Sequence, residues 1–515
     1  MIQSIQRSLR DMLGSAWSDA VVDGFAALNG GGGDQARALV DEKVDFYPAS
    51  FAQKVAGLLP KAGTRVARGL ADSPVGAPTD SFAKATSRSA APIGSLGNYR
   101  LGEDGRLYLI AKSEHYHTPL GHAFPGYKLV ENAARLGIPN ATHNNTRGGI
   151  TRFLEAEIVR AANGIARGDS AALAAVLASK AQGALNRIIN LETGSLATEA
   201  ALKMMLARFY RLDATSAKPV HAGRVPVFLV MADYAGGNTA NYHGTTMNTQ
   251  VMRGMWPEMY DKMEKAGVMR VQQVRINDIA DFKAAIERYN VPPYKTAGFL
   301  HEIIMMNYGG VRLSEDYLRA AYSLCKGTDT PVLCDEIQSC MWYPGMFLSR
   351  IYGLEPDFLA LGKGFSGGLY PASRILAAAG MDNLNQFGAL VTNGQEELAS
   401  LAYLVTMEFV QANGAHIEEV GGLYERRVRE VAARHPSLLD GIEGQGLLLA
   451  IGFKEVPAAV DFCERLKADG LDISAQTYKP NCPPVALTKL PVTVGKAEVD
   501  HIVGRIEAAL KKMGG

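Results

Sequence analysis

Five short apolar runs limit how this chain can fold. They are "NRIINL" (186–191), "VPVFLVMAD" (225–233), "TAGFLHEII" (296–304), "TPVLCDEI" (330–337) and "PDFLALG" (356–362). Longer stretches of helical period, such as "ATEAALKMMLARFYR" (197–211) and "EDYLRAAYSLCKG" (315–327), lie between them. A strand with one wet face alternates apolar and polar residues, whereas these runs are apolar almost throughout. The pattern predicts an α/β fold, a mostly parallel sheet with helices on both faces, over residues 96 to about 415. From 416 onward a helix, the run "GQGLLLAIGF" (444–453) and two further helical stretches predict a smaller α+β domain. Residues 1 to about 95 read as a mostly helical extension. It ends in "ADSPVGAPTDSFAKATSRSAAPIGSLGN" (71–98), which is poor in large apolar residues and predicts an exposed connector.

Composition excludes several classes. At 515 residues the chain exceeds one small core. A formal net charge of +1 gives no electrostatic basis for binding nucleic acid or an anionic membrane. No apolar run is long enough to span a bilayer, and the N-terminal stretch has the charge spacing of an amphipathic helix rather than a signal peptide. Five cysteines (Cys325, Cys334, Cys340, Cys463, Cys482) without paired spacing predict a reduced, cytoplasmic protein.

The segment "LGKGFSGGLY" (361–370) admits three chemistries. A phosphate-binding P-loop needs glycine where Asp357 stands and Ser or Thr where Gly364 stands, so it is excluded. Gly364-x-Ser366-x-Gly368 matches a hydrolase nucleophile elbow, with His416, His435 and His501 downstream. That motif requires an immediate helix, and Pro371 with the preceding glycines opposes one. The third possibility is that Lys363 forms an imine with a carbonyl.

A lysine joined to pyridoxal phosphate needs a carboxylate against the pyridine nitrogen, so that the ring draws electrons from the substrate. Asp335 ends the strand "TPVLCDEI", at the edge where open α/β sheets bind ligands. Thr193-Gly194-Ser195 opens a long helix and offers free N–H groups and a hydroxyl for a phosphate. Tyr242 in "NYHGTT" can stack on the cofactor ring.

Seven segments in order over residues 96 to 510 resemble the class III aminotransferases, which are fold-type I pyridoxal-phosphate enzymes. They are "PLGHAFPG" (119–126), "TGSLATEAALK" (193–203), "YHG" (242–244), "HEII…GGV" (301–311), "DEIQSC" (335–340), "PDFLALGKGFSGGLYP" (356–371) and "TNGQEELASLAYLVTMEF" (392–409). The resemblance implies that Lys363 carries the cofactor as an imine and moves the substrate proton. It implies that Asp335 pairs with the ring nitrogen, Ile337 packs behind the ring, Gln338 reaches its hydroxyl and Tyr242 covers its face. Thr193, Gly194 and Ser195 would hold the phosphate. Thr392 would reach the phosphate of a neighbouring subunit, which implies a homodimer with shared sites, and Glu302 fits the family's glutamate on the preceding strand. The resulting division is an extension (1–95), two parts of a small domain (96–160 and 416–515) and a large cofactor domain (161–415).

The departures fall on the substrate side. Leu196 replaces a glutamate, Glu192 an asparagine, and "PPVALTKLPVTV" (483–494) carries no arginine for a substrate carboxylate. Glu443 likewise stands where the family often has arginine. Candidate replacements are Arg147, Arg152, Arg374 and Lys489. The expected reaction is transfer of an amino group between an amine or amino acid and a keto or aldehyde acceptor, with racemisation, elimination or decarboxylation as alternatives. His115, His117 and His122 lie close in sequence, and a strand would present the first two on one face, but no cysteine or further spaced ligand completes a metal site. The methionine-rich pieces "KMMLARF", "IIMMNY" and "MWYPGMF" read as core.

Overall fold

The computed structural model describes residues 1–143, 145–371, 373–477 and 481–514. Among them seven strands form the principal sheet: β1 (Leu185–Leu191), β2 (Val225–Met231), β3 (Arg270–Val274), β4 (Tyr294–His301), β5 (Val332–Asp335), β6 (Phe358–Leu361) and β7 (Ser373–Ala378). Their order is β1-β7-β6-β5-β4-β2-β3. All run parallel except β7, which lies antiparallel between β6 and β1.

Each of the five apolar runs overlaps a strand of this sheet. The two strands without such a run have physical reasons to look different. β3 is at the sheet edge, where "RVQQV" keeps only two of its five residues buried. β7 opens with Ser373 and Arg374, which break its apolar pattern.

Both faces of the sheet are covered, and the strand period shows it. Val227, Leu229 and Met231 of β2 join one apolar cluster, while Phe228 and Val230 join a second on the other side. β6 divides likewise, with Leu359 and Leu361 facing one way and Phe358 and Ala360 the other. Helix α1 (Gly194–Leu206) packs over β7 and β6, and helix α2 (Glu397–Ala412) lies against the helix Gly149–Ala162.

The smaller sheets join distant parts of the chain. Leu107–Ile110 pairs in parallel with Leu471–Asp472, and Tyr99–Gly102 and Pro92–Leu96 continue that sheet outward. Beside it, Leu439–Gln445, Leu448–Phe453, Val485–Lys489 and Ser474–Ala475 form a second four-stranded antiparallel sheet. The N-terminal residues form the helices Leu9–Leu13, Ser15–Asn29 and Gly33–Asp41, with Leu9, Phe46 and Phe51 entering the main core. The connector after residue 71 is exposed almost throughout up to residue 87.

Phe228 is fully buried on β2, beside the edge strand β3, so Phe228→Ala should cost about 3–5 kcal/mol. The check is the midpoint of thermal or denaturant unfolding. Leu28, 87% exposed, supplies the control: Leu28→Ala should change stability by less than about 0.5 kcal/mol.

Candidate active site

The carboxyl ends of the parallel strands open into one cavity of about 680 Å³. Glu192 and Thr193 follow β1, Tyr242 to Thr245 lie on the loop after β2, Asp335 to Gln338 follow β5, and Lys363 follows β6. A sheet buried on both faces has only these strand ends available for polar chemistry.

Asp335 is buried, and its carboxylate is held by two donors. Ile337 N–H donates to Oδ1 at 3.0 Å, and His243 Nδ1 lies 2.9 Å from Oδ2. A carboxylate only accepts, so the ring proton belongs on Nδ1, and the buried Nε2 has no partner among the described residues. The His243 carbonyl accepts from the Thr198 hydroxyl, which ties this loop to α1. Glu199 fastens the loop again, accepting from Thr246 Oγ1 at 2.9 Å and Asn248 Nδ2 at 2.7 Å.

Lys363 takes φ 48°, in the left-handed region that costs a side chain with a Cβ about 1 kcal/mol or more. Burial brings its amine down to about 8, against the opposing pull of Glu302 and Asp335. His115 and His117 line the cavity beside it. Burial and then the charge of Lys363 hold His115 near about 3, and the same two causes lower His117, so both imidazoles stay neutral. His115 lies in the short helical turn Ser113–Tyr116, not on a strand, and Ser113, Glu114 and His115 all have positive φ. His122 is spent on Glu114 at 3.1 Å, and no cluster suited to a metal ion occurs among the described residues.

The opposite end of the cavity is built for an anion. The first N–H groups of α1 point out of the helix start at Gly194, and Thr245 N–H donates to Ser195 Oγ at 3.0 Å. The Ser195 and Thr245 hydroxyls are 3.4 Å apart. A Cβ at Gly194 would stand 2.2 Å from the Ile337 side chain, and one at Gly244, whose φ is +130°, 2.6 Å from Ser195. Gln338 donates from Nε2 to Glu302 Oε1 at 2.7 Å, leaving its buried Oε1 as an unused acceptor at the cavity wall. A buried carboxylate, an amine, an anion cradle and an open acceptor suit a phosphorylated aromatic aldehyde such as pyridoxal phosphate.

The sequence model of class-III aminotransferases matches residues 89–510, most of the chain. The chain belongs to this family. Class III aminotransferases use pyridoxal phosphate to move an amino group between an amine or amino acid and a keto or aldehyde acceptor, and that is the activity of this enzyme. It is similar to the ornithine aminotransferase of Bordetella pertussis, 26% identical over 328 residues that span 62% of this chain and 73% of that one. It resembles in fold the adenosylmethionine-8-amino-7-oxononanoate aminotransferase of Methanocaldococcus jannaschii, with a TM-score of 0.64 at 19% identity, covering 86% of this chain and 96% of that one. A Bacillus anthracis aminotransferase gives 0.66 at 17% identity, covering 89% and 99%.

The cavity of this class III enzyme brings together Lys363, Asp335, Thr193, Gly194, Ser195, Tyr242, Ile337 and Gln338. It does not include the substrate cations expected from sequence. Arg374 is buried in β7, where it donates to the Ser373 carbonyl at 2.8 Å and the Leu191 carbonyl at 3.3 Å and lies over the Tyr403 ring. Lys489 is fully buried, donates to the Gln338 carbonyl, and sits 3.6 Å over the Trp342 ring. Arg147 pairs with Glu155 at 2.5 Å, and Arg152 donates to the Gly148 carbonyl at 3.2 Å on an exposed helix end. Thr392 is exposed and outside the cavity. Leu196, where the family has glutamate, packs against the apolar cluster under α1. His243, Thr245 and Arg253 reach the cavity and were missed in the sequence. A buried Asp335 demands a donor, but that demand does not say where along the chain the donor lies.

A free lysine amine loses its proton near about 10.4, whereas Lys363 does so near about 8. Only the neutral amine attacks an aldehyde. If Lys363 is the amine that takes up pyridoxal phosphate, the rate of covalent uptake by cofactor-free protein should therefore rise with pH through about 8 and then level off. Stopped-flow absorbance across a pH series checks this, and a midpoint near that of free lysine would contradict it.

Proposed function

We propose that Lys363 is the residue that holds the cofactor covalently and moves the substrate proton, with Asp335 as its electrostatic partner. The observation that carries this is that both project into one cavity from adjacent strands, Lys363 as a buried amine and Asp335 as a carboxylate braced by His243. Pyridoxal phosphate, when bound, supplies an aldehyde that takes up the donor's amine and a cationic ring that draws electrons from the carbon beside it. Lys363 Nζ removes the proton from that carbon. Asp335 presents negative charge to the ring nitrogen, and its bond from His243 keeps the carboxylate oriented. Thr193, Gly194, Ser195 and Thr245 would hold its phosphate, Ile337 and Tyr242 would flank its ring, and Gln338 would meet the ring hydroxyl. Donor and acceptor exchange an amine for a carbonyl, so the reaction balances without an external oxidant.

The active assembly in this reading is a homodimer in which Thr392 serves the neighbouring phosphate site. Its exposure outside the cavity of its own chain supports that role. The enzyme is read as cytoplasmic on its cysteines, four of them buried, with no disulfide among the described residues. No helix among the described residues is long and apolar enough to cross a membrane.

Lys363→Ala should abolish covalent attachment and lower turnover by about 10²–10⁴-fold. Borohydride reduction followed by peptide mass spectrometry should find the cofactor on Lys363 in the wild type and nowhere in the variant. Cofactor fixed elsewhere would overturn the assignment. Sedimentation should give a dimer, with Thr392→Ala weakening cofactor retention while the dimer persists; a monomer of full activity would remove the shared site.

A further inference from the structure

The four cations expected to grip a substrate anion all have other duties, yet the cavity lining does contain a guanidinium. Arg253 follows the helix Met247–Met252 and reaches the cavity beside Tyr242. Its guanidinium carbon lies over the Tyr242 ring, 4.8 Å from the centroid, a cation–π contact that uses none of its hydrogen-bond donors. Nε and Nη2 meet only the Met255 sulfur, at 3.1 and 3.0 Å, and sulfur is a weak acceptor. Among the described residues no carboxylate pairs with Arg253. Every one of the other arginines weighed above is bonded to an oxygen. A half-buried arginine, lying over a ring and lacking an anion, is equipped to receive one.

We propose that Arg253 is the anion-binding side chain of this cavity, pairing with an oxyanion of a bound ligand: the phosphate of the cofactor or the carboxylate of the amino donor. The two sources share the chemistry that a guanidinium fork recognises. Tyr242 then has two tasks, one face toward the cofactor ring and the other under Arg253. The inference rests on the cofactor site assigned above. It adds that this chain meets anions with an arginine from the loop after β2 rather than from its C-terminal strands.

Two arms separate the sources. In the first, cofactor-free wild type, Arg253→Gln and Arg253→Lys are titrated with pyridoxal 5′-phosphate and with pyridoxal, which lacks the phosphate. In the second, the cofactor-loaded proteins are mixed with an amino acid and with the amine left by its decarboxylation, and the spectral half-reaction is followed. A loss of about tenfold or more in Arg253→Gln for pyridoxal phosphate, with pyridoxal unchanged, assigns the phosphate. A rise of similar size in the apparent KM for the amino acid, with the amine unchanged, assigns the carboxylate. Arg253→Lys should recover part of either loss. Equal weakening of charged and neutral ligands, or affinities within about twofold of wild type in both arms, overturns the proposal. Borohydride trapping on Lys363 is scored in the same samples. Its absence in the wild type defeats the cofactor assignment, while its presence with an unaffected Arg253→Gln defeats only this one.

Discussion

A parallel sheet covered on both faces leaves charged side chains no place but the strand ends, and here the chemistry of the enzyme follows from that exclusion. Burying a lone carboxylate or ammonium costs several kcal/mol or more, so each charge at the carboxyl edge must be answered by another group. Asp335 is answered by His243 and the Ile337 amide, and Glu302 by Gln338. Lys363 is answered incompletely. Its desolvation outweighs the two nearby carboxylates, and this leaves an amine that is reactive near neutral pH. The lowered amine is thus a by-product of where the fold permits a charge to stand.

Much of this could be read from the sequence, and the reason differs by element. Unbroken apolar runs reported buried strands directly, because a strand with two dry faces has no polar positions to confuse the pattern. β3 and β7 were obscure because one lies at an edge and the other carries an arginine. Lys363, Asp335 and the Thr193–Ser195 turn could be singled out because each puts the residue type such chemistry needs at a strand end or helix start. His243 and Arg253 could not, since each is placed by the path of the loop after β2. Neighbours across a cavity leave no period in a sequence.

The misplaced cations show the same limit from another side. Residue type alone offered Arg374 and Lys489 as substrate grips, but depth decides what a cation can do. Arg374 serves the backbone of β7 and β1 and rests on Tyr403, while Lys489 serves the Gln338 carbonyl and rests on Trp342. Each helps to hold a piece of the cavity wall in place from behind.

The sheet that joins Leu107–Ile110 to Leu471–Asp472 binds segments made early and late in synthesis. Ala111 accepts from the Lys489 amide at 2.7 Å, and Ser113 Oγ donates to the Lys489 carbonyl at 2.6 Å. The turn carrying His115 therefore gains these bonds only once residue 489 has left the ribosome. Domains otherwise tend to fold from the N-terminus as they emerge. On the ribosome, the large sheet can close around Asp335 and Lys363 first, and the wall of the cavity that faces them is added last.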